Sequence, residues 1–151
     1  PLLKSCDWSS DVCSSDLDIM NAGTTCINDD QNLLDAARMM RDLGVGSLPI
    51  CGKDKKLHGI ITDRDIVVKA CADGKDLASC TAGELAQGDI TWVDGKTDIT
   101  EVVDMMGRDQ IKRLPVIEDH QLVGMISEAD LARHLDDHQL SEFVEKVFAR
   151  P

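Results

Sequence analysis

Residues 59–65 read G-I-I-T-D-R-D, and residues 124–130 read G-M-I-S-E-A-D. In each, an apolar run ends in a small hydroxyl, Thr62 or Ser127, and an acid follows three residues later, Asp65 or Asp130. The apolar run predicts a strand. The hydroxyl followed by an acid predicts the first turn of a helix. Two copies of one strand-to-helix junction in a single chain make an internal duplication the first thing to test.

The duplication extends well beyond the junctions. An offset of 66 places Thr25 on Thr91, Met39-Met40 on Met105-Met106, Leu48-Pro49 on Leu114-Pro115, and Asp18-Ile19-Met20 on Glu84-Leu85-Ala86. One deletion near Lys55 then aligns Leu57 with Leu122, Gly59 with Gly124, Ile61 with Ile126 and Asp65 with Asp130.

Each copy predicts the same order of elements. A short strand covers residues 24–27 or 90–93. Asn32 or Asp98 caps a helix in which Leu33, Ala36, Ala37 and Met40, or Ile99, Val102, Val103 and Met106, fall at helical spacing. Gly44 closes the first helix, where a positive φ is often required. Strands follow at 48–51 and 114–117, then turns at 52–56 and 118–121. Strands at 57–62 and 122–127 lead into a second helix starting near Asp63 or Glu128. The unit is β-α-β-β-α, an α/β (α+β) arrangement. A unit of about 55 residues is marginal alone, so the two are expected to pack as a pseudo-twofold pair. The expected boundaries are 18–70 and 84–137 for the repeats and 71–83 for the connector. A C-terminal amphipathic helix is expected at 138–151, carrying Leu140, Phe143, Val144, Val147 and Phe148.

Composition narrows the function. The 151 residues are 42% hydrophobic and carry a formal net charge of −12. Duplex nucleic acid is excluded as a partner, because phosphate binding needs a basic face. No apolar run approaches the ~20 residues that span a bilayer, and no secretory signal is visible. The protein reads as soluble and cytoplasmic. Residues 7–17, D-W-S-S-D-V-C-S-S-D-L, match the in-frame translation of a sequencing-library adapter. The alternative is a polar disordered tail. Either way residues 1–17 stand outside the fold argument. They hold Lys4 against Asp7, Asp11 and Asp16, leaving −10 on the rest.

The junctions carry the best functional signal. Exposed amides at a helix N-terminus favour an anion, and the hydroxyl adds a donor. The acid can accept hydrogen bonds from the two hydroxyls of a sugar. Phosphate at one end and ribose at the other describe a nucleoside phosphate. The competing reading is a helix cap, with Thr62 or Ser127 as cap and Asp65 or Asp130 completing the box. Arg64 favours anion binding in the first copy; the second has Ala129 there. Lys112 and Arg113 precede Leu114-Pro115. With Arg64 they form a local positive field if all face one cleft, and are solvated surface charges otherwise.

Taken together, L-P-I and L-P-V with T-D-R-D and S-E-A-D resemble the motifs of the paired cystathionine-β-synthase-type (CBS) domain, the Bateman module. The resemblance covers residues 18 to about 135 and extends to stand-alone two-repeat bacterial proteins. It implies a regulatory module, not an enzyme, that binds AMP, ADP, ATP or S-adenosylmethionine in clefts between the repeats. Carried over, Thr62 and Ser127 contact phosphate, with Asp63 and Arg64 beside the first. Asp65 and Asp130 hold ribose. The backbone at Leu48-Pro49 and Leu114-Pro115 faces the base, with Arg113 alongside. It also implies a homodimer.

Four cysteines remain outside the tail. Cys26 and Cys51 end strands that a right-handed β-α-β crossover makes parallel. Neighbouring strands lie about 4.8 Å apart, within disulfide range. The pair is therefore either a redox-sensing disulfide or two buried hydrophobes. Cys71 and Cys80 are spaced too loosely for a metal knuckle. His134 and His138 share one face if their helix is continuous, a spacing that can hold a transition metal. The alternative is a polar helix end, and metal is not expected. No G-x-S-x-G, H-E-x-x-H or P-loop is present. The second functional reading is a stress-response interaction protein controlled by redox or metal.

Overall fold

A computed structural model describes residues 19–86 and 89–149. The adapter-like stretch therefore lies outside the described residues, as do 150 and 151. The elements are β1 (Asn21–Ala22), β2 (Ile27–Asn28), α1 (Leu33–Leu43), β3 (Ser47–Cys51), β4 (Leu57–Thr62) and α2 (Asp63–Asp65). α2 continues as a π-helical segment, Ile66–Cys71. Then come α3 (Ala82–Leu85), β5 (Val93–Asp94), α4 (Ile99–Asp109), β6 (Arg113–Glu118), β7 (Gln121–Ser127), α5 (Glu128–His134) and α6 (Asp137–Val147). The mixed α/β class read from the duplicated pattern is what forms.

The long helix of each copy is delimited by the residues the sequence singles out. Asn32 Oδ1 accepts from the Asp35 N–H at 2.8 Å. Gly44 closes α1 at φ +67°, its N–H donating to the Arg41 carbonyl. α4 begins at Asp98, whose carboxylate accepts from the Thr100 N–H at 2.8 Å. It ends on Gln110 at φ +52°, a left-handed position filled here without glycine. The Gln110 amide donates to the Ala149 carbonyl at 2.9 Å.

The strands form two sheets, one in the order β2-β3-β4 and the other β1-β7-β6-β5. In the first, β2 runs parallel to β3 and β3 antiparallel to β4, with Ser47 opposite Thr62 and Leu48 opposite Ile61. In the second, β5 and β6 are parallel. The hairpin between β6 and β7 turns on Asp119 and His120, both at positive φ. The opening strands are shorter and later than the apolar runs suggest: β2 covers Ile27–Asn28 and β5 Val93–Asp94.

The chain divides into two compact units, built chiefly on Gly23–Thr91 and on Trp92–Glu118 with Val123 onward. Residues 19–22 group with the second unit. β1 pairs antiparallel with β7, Asn21 opposite Met125 and Ala22 opposite Gly124. Ile19 is buried in the second core beside Leu114 and Phe143. Its counterpart Leu85 is buried in the first core beside Leu48 and Ile61. Each repeat's leading segment thus packs into the other repeat's core. Gly59 and Gly124 admit these leads. A Cβ on Gly59 would lie 2.9 Å from Ala86 Cβ, and one on Gly124 would lie 2.8 Å from the Asn21 carbonyl and strike Met20 Sδ.

Candidate functional site

Both hydroxyl–acid pairs form complete capping boxes. At the first junction the Thr62 N–H and hydroxyl donate to Asp65 Oδ2 at 3.0 and 2.6 Å. The Asp65 N–H donates back to Thr62 Oγ1 at 3.1 Å. At the second, the Ser127 N–H and hydroxyl donate to Asp130 Oδ2 at 2.8 and 2.7 Å. The Asp130 N–H reaches Ser127 Oγ at 3.3 Å. The box ties each junction to the preceding strand as well. The Asp63 N–H donates to the Gly46 carbonyl, and the Glu128 N–H to that of Lys112. The capping reading is therefore realised in both copies.

What remains of each carboxylate decides what else it can do. An ionised carboxylate offers about four lone-pair positions. Asp65 spends two on Thr62. Its Oδ1 meets Lys69 Nζ at 2.6 Å, and its side chain stays 21% exposed. Burial alone would raise the Asp65 carboxyl. The Lys69 ammonium and the two Thr62 donors outweigh it and hold the group below its ordinary value. Asp130 is nearly buried, with a side chain 6% exposed. The Asn21 side-chain amide donates to both of its oxygens, each at 3.1 Å. Arg133, itself largely exposed, lies 3.7 Å from Oδ1. Nothing local in the sequence ties Asn21 to Asp130, a residue more than a hundred positions away.

The other expected site residues sort by unit. Leu48-Pro49 and Leu114-Pro115 are buried within β3 and β6. Asp63 and Arg64 are exposed, the Asp63 carboxylate accepting from the Arg64 N–H at 2.7 Å. Arg113 is half-buried at the start of β6. Lys112 lies over the Phe148 ring, 4.2 Å from its centroid. Phe148 and Val144 are exposed, whereas Phe143 and Val147 form the buried face of α6.

Cys26 and Cys51 are joined by a disulfide, with Cα atoms 5.7 Å apart. The bond ties the approach to β2 to the end of β3. Cys71 and Cys80 are free thiols, the first exposed.

The helix that would align His134 with His138 does not run through. α5 ends at His134, Leu135 is extended, and Asp136 caps α6 in a box with Gln139. The D-x-x-Q spacing at 136–139 was the available signal. His134 Nδ1 lies 2.7 Å from the Asp130 carbonyl. The ring nitrogens of His58 face different carboxylates, Asp29 at 3.2 Å and Asp54 at 3.6 Å. Among the described residues no group of three His, Cys, Asp or Glu side chains is placed to hold a metal ion.

A strand-end hydroxyl boxed to a helix-turn acid, repeated in two β-α-β-β-α units, is the signature of a CBS pair. The CBS domain model matches residues 15–70 and 82–137, and the chain belongs to that family. It is 49% identical over 130 residues to hypoxic response protein 1 of Mycobacterium tuberculosis, covering 86% of this chain and 91% of that one. A CBS domain-containing protein of Bacillus subtilis is 29% identical over 119 residues, 79% of this chain and 84% of the relative. The crystal structure of hypoxic response protein I with two coordinated zinc ions superposes with a TM-score of 0.75 at 50% identity, over 81% of this chain and 99% of that one. A conserved CBS domain protein of Thermoplasma acidophilum shares the fold, with a TM-score of 0.78 at 18% identity, over 89% and 76%. The protein is thus a tandem CBS-domain protein that is similar to hypoxic response protein 1 over most of its length. The zinc in that relative weighs against the expectation that metal has no part.

Proposed function

We propose that this CBS pair is a cytoplasmic sensor of an adenine nucleotide, AMP, ADP or ATP, and that the first junction holds the ligand. The observation that supports this reading is the state of Asp65. Its carboxylate is held ionised, part-exposed, and turned on Oδ1 toward a single flexible lysine. A ribose diol can share Oδ1 while Lys69 swings toward phosphate, with Arg64 one residue away. Binding signals by differential affinity for two shapes of the protein. Calorimetric titration of the full chain with AMP, ADP, ATP and S-adenosylmethionine tests it. Saturable binding to one of the nucleotides, lost in Asp65→Ala, is the expected result. Silence from all four, or binding indifferent to Asp65→Ala, overturns the reading.

A second reading rests on the Cys26–Cys51 bond: a stress-response interaction protein switched by redox state. In a reducing compartment structural disulfides are uncommon and redox-responsive ones are the usual exception. Thiol counting by maleimide before and after reduction discriminates. Two newly reactive thiols on reduction support it; full labelling of the native protein removes it. Either reading includes a homodimer, and sedimentation velocity showing a monomer at micromolar concentration would dismiss that element.

A further inference from the structure

Asp130 is the one buried charged residue among those described. A buried carboxylate is costly unless its oxygens are hydrogen-bonded. Ser127 supplies two donors to Oδ2, and Asn21 supplies the rest, its side-chain nitrogen 3.1 Å from Oδ1 and 3.1 Å from Oδ2.

Asn21 is held there from three directions. It sits on β1, paired with β7 opposite Met125. The residue before β1's lead, Ile19, is buried in the second core. Position 124 has no side chain, and a Cβ there would meet the Asn21 carbonyl at 2.8 Å, so β1 lies as close to β7 as glycine allows.

We propose that Asn21 is a built-in occupant of the second junction, which closes Asp130 to a ligand and leaves the chain with one open ribose-holding site, at Asp65. The inference rests on the reading of the hydroxyl–acid pair given above. A carboxamide nitrogen carries two N–H donors. A ribose cis-diol presents two O–H donors to the same two oxygens, so the two compete for one set of acceptors. Asn21 is tethered, and an intramolecular donor acts at a high effective concentration. A diol reaches Asp130 only in the fraction of molecules whose Asn21 has withdrawn, and its apparent Kd rises by the inverse of that fraction. The second junction also has Ala129 where the first has Arg64, which leaves the largely exposed Arg133, 3.7 Å from Asp130 Oδ1, as the neighbouring cation.

Calorimetric titration of the full chain with AMP tests this, comparing wild type, Asn21→Ala, Asn21→Ser and the double variant Asn21→Ala/Asp130→Ala. Serine keeps a polar group on β1 but is too short to bridge both oxygens, and serves if alanine loosens the strand. Circular dichroism melts establish that each variant is folded. The Asn21 variants are expected to bind one more equivalent of AMP than wild type, and the double variant to lose it. Equal stoichiometry in wild type and both Asn21 variants, at one or at zero, overturns the proposal. So does a wild-type AMP site that Asp130→Ala alone removes. No binding to wild type with Asp130-dependent binding to Asn21→Ala upholds the occupant and overturns the sensor role of the first junction, so the two failures are distinguishable.

Discussion

Asp65 and Asp130 stand at the same place in two copies of one junction, yet a lysine answers the first and an asparagine from a distant strand answers the second. The boxes themselves are nearly superimposable in their bonding. The divergence lies one turn further along and in the leading segment. Lys69, four residues after Asp65, reaches Oδ1. The aligned His134 turns instead to the Asp130 backbone carbonyl. Past the box the first copy continues as a π-helical segment, whereas the second is a regular α-helix through His134. A capping box closes the junction in both copies. What differs is how much carboxylate is left over once the cap is made.

The largest expected difference between the copies concerns covalent bracing. Among the described residues only the first unit has a disulfide. The positions aligned with Cys26 and Cys51 are Trp92 and Ile117. The bond closes a loop of sequence separation 25, for which chain-entropy reasoning gives a stabilisation of about 3 kcal/mol. Cys51→Ser should lower the urea midpoint accordingly, and the reduced wild type should fall to the same value. If reduction leaves the wild-type midpoint unmoved, the bond does not brace the first unit.

The carboxylates come next. Asp130→Ala leaves the half-buried Ser127 N–H and hydroxyl without their acceptor, while the exposed Asn21 amide can turn to water, a loss of about 2 kcal/mol. Asp65→Ala removes a part-exposed box whose donors can turn to water, with a cost nearer 1 kcal/mol. Urea denaturation of the two variants side by side measures the ratio. Equal losses would mean that burial of Asp130 counts for nothing, and the contrast between the junctions would collapse.

The parts of this architecture that were legible in the sequence are the local ones. Asn32, Gly44 and Asp98 mark helix ends because caps act within four residues. The boxes at Thr62 and Ser127 could be read as spacing for the same reason. The duplication itself was visible because Leu48-Pro49 and Leu114-Pro115 repeat in register. The exchange of leading segments was not. β1 is two residues long, and its pairing with β7 spans more than a hundred positions, so neither periodicity nor propensity bears on it. Ile19 and Leu85 align with each other at the repeat offset whichever core each one enters. The break between His134 and His138 was legible in principle, since Asp136 and Gln139 have box spacing. The pattern R-H-L-D-D-H drew attention to the histidines instead. The two hydroxyl–acid junctions were legible as spacing, but the inequality of their acids depends on Asn21, which no local pattern connects to Asp130.

The smallest expected effect is also the sharpest probe of the first junction. Burial pushes the Asp65 carboxyl up, while Lys69 and Thr62 together hold it below its ordinary 3.8. A carboxyl depressed in the folded state contributes stability that is fully present above its unfolded value and is lost as pH falls through the folded one. Asp65 should therefore steepen the loss of stability below about pH 4. Asp65→Asn should flatten that acid limb. Lys69→Met should move it to higher pH, because burial then acts against the charged form with only Thr62 opposing it. Urea midpoints taken between about pH 2.5 and pH 6 resolve the three curves. Superimposable limbs for wild type and Lys69→Met would show that Lys69 does not hold Asp65 ionised. The lysine would then have no carboxylate to exchange for a phosphate, and the first junction would be left, like the second, as a cap.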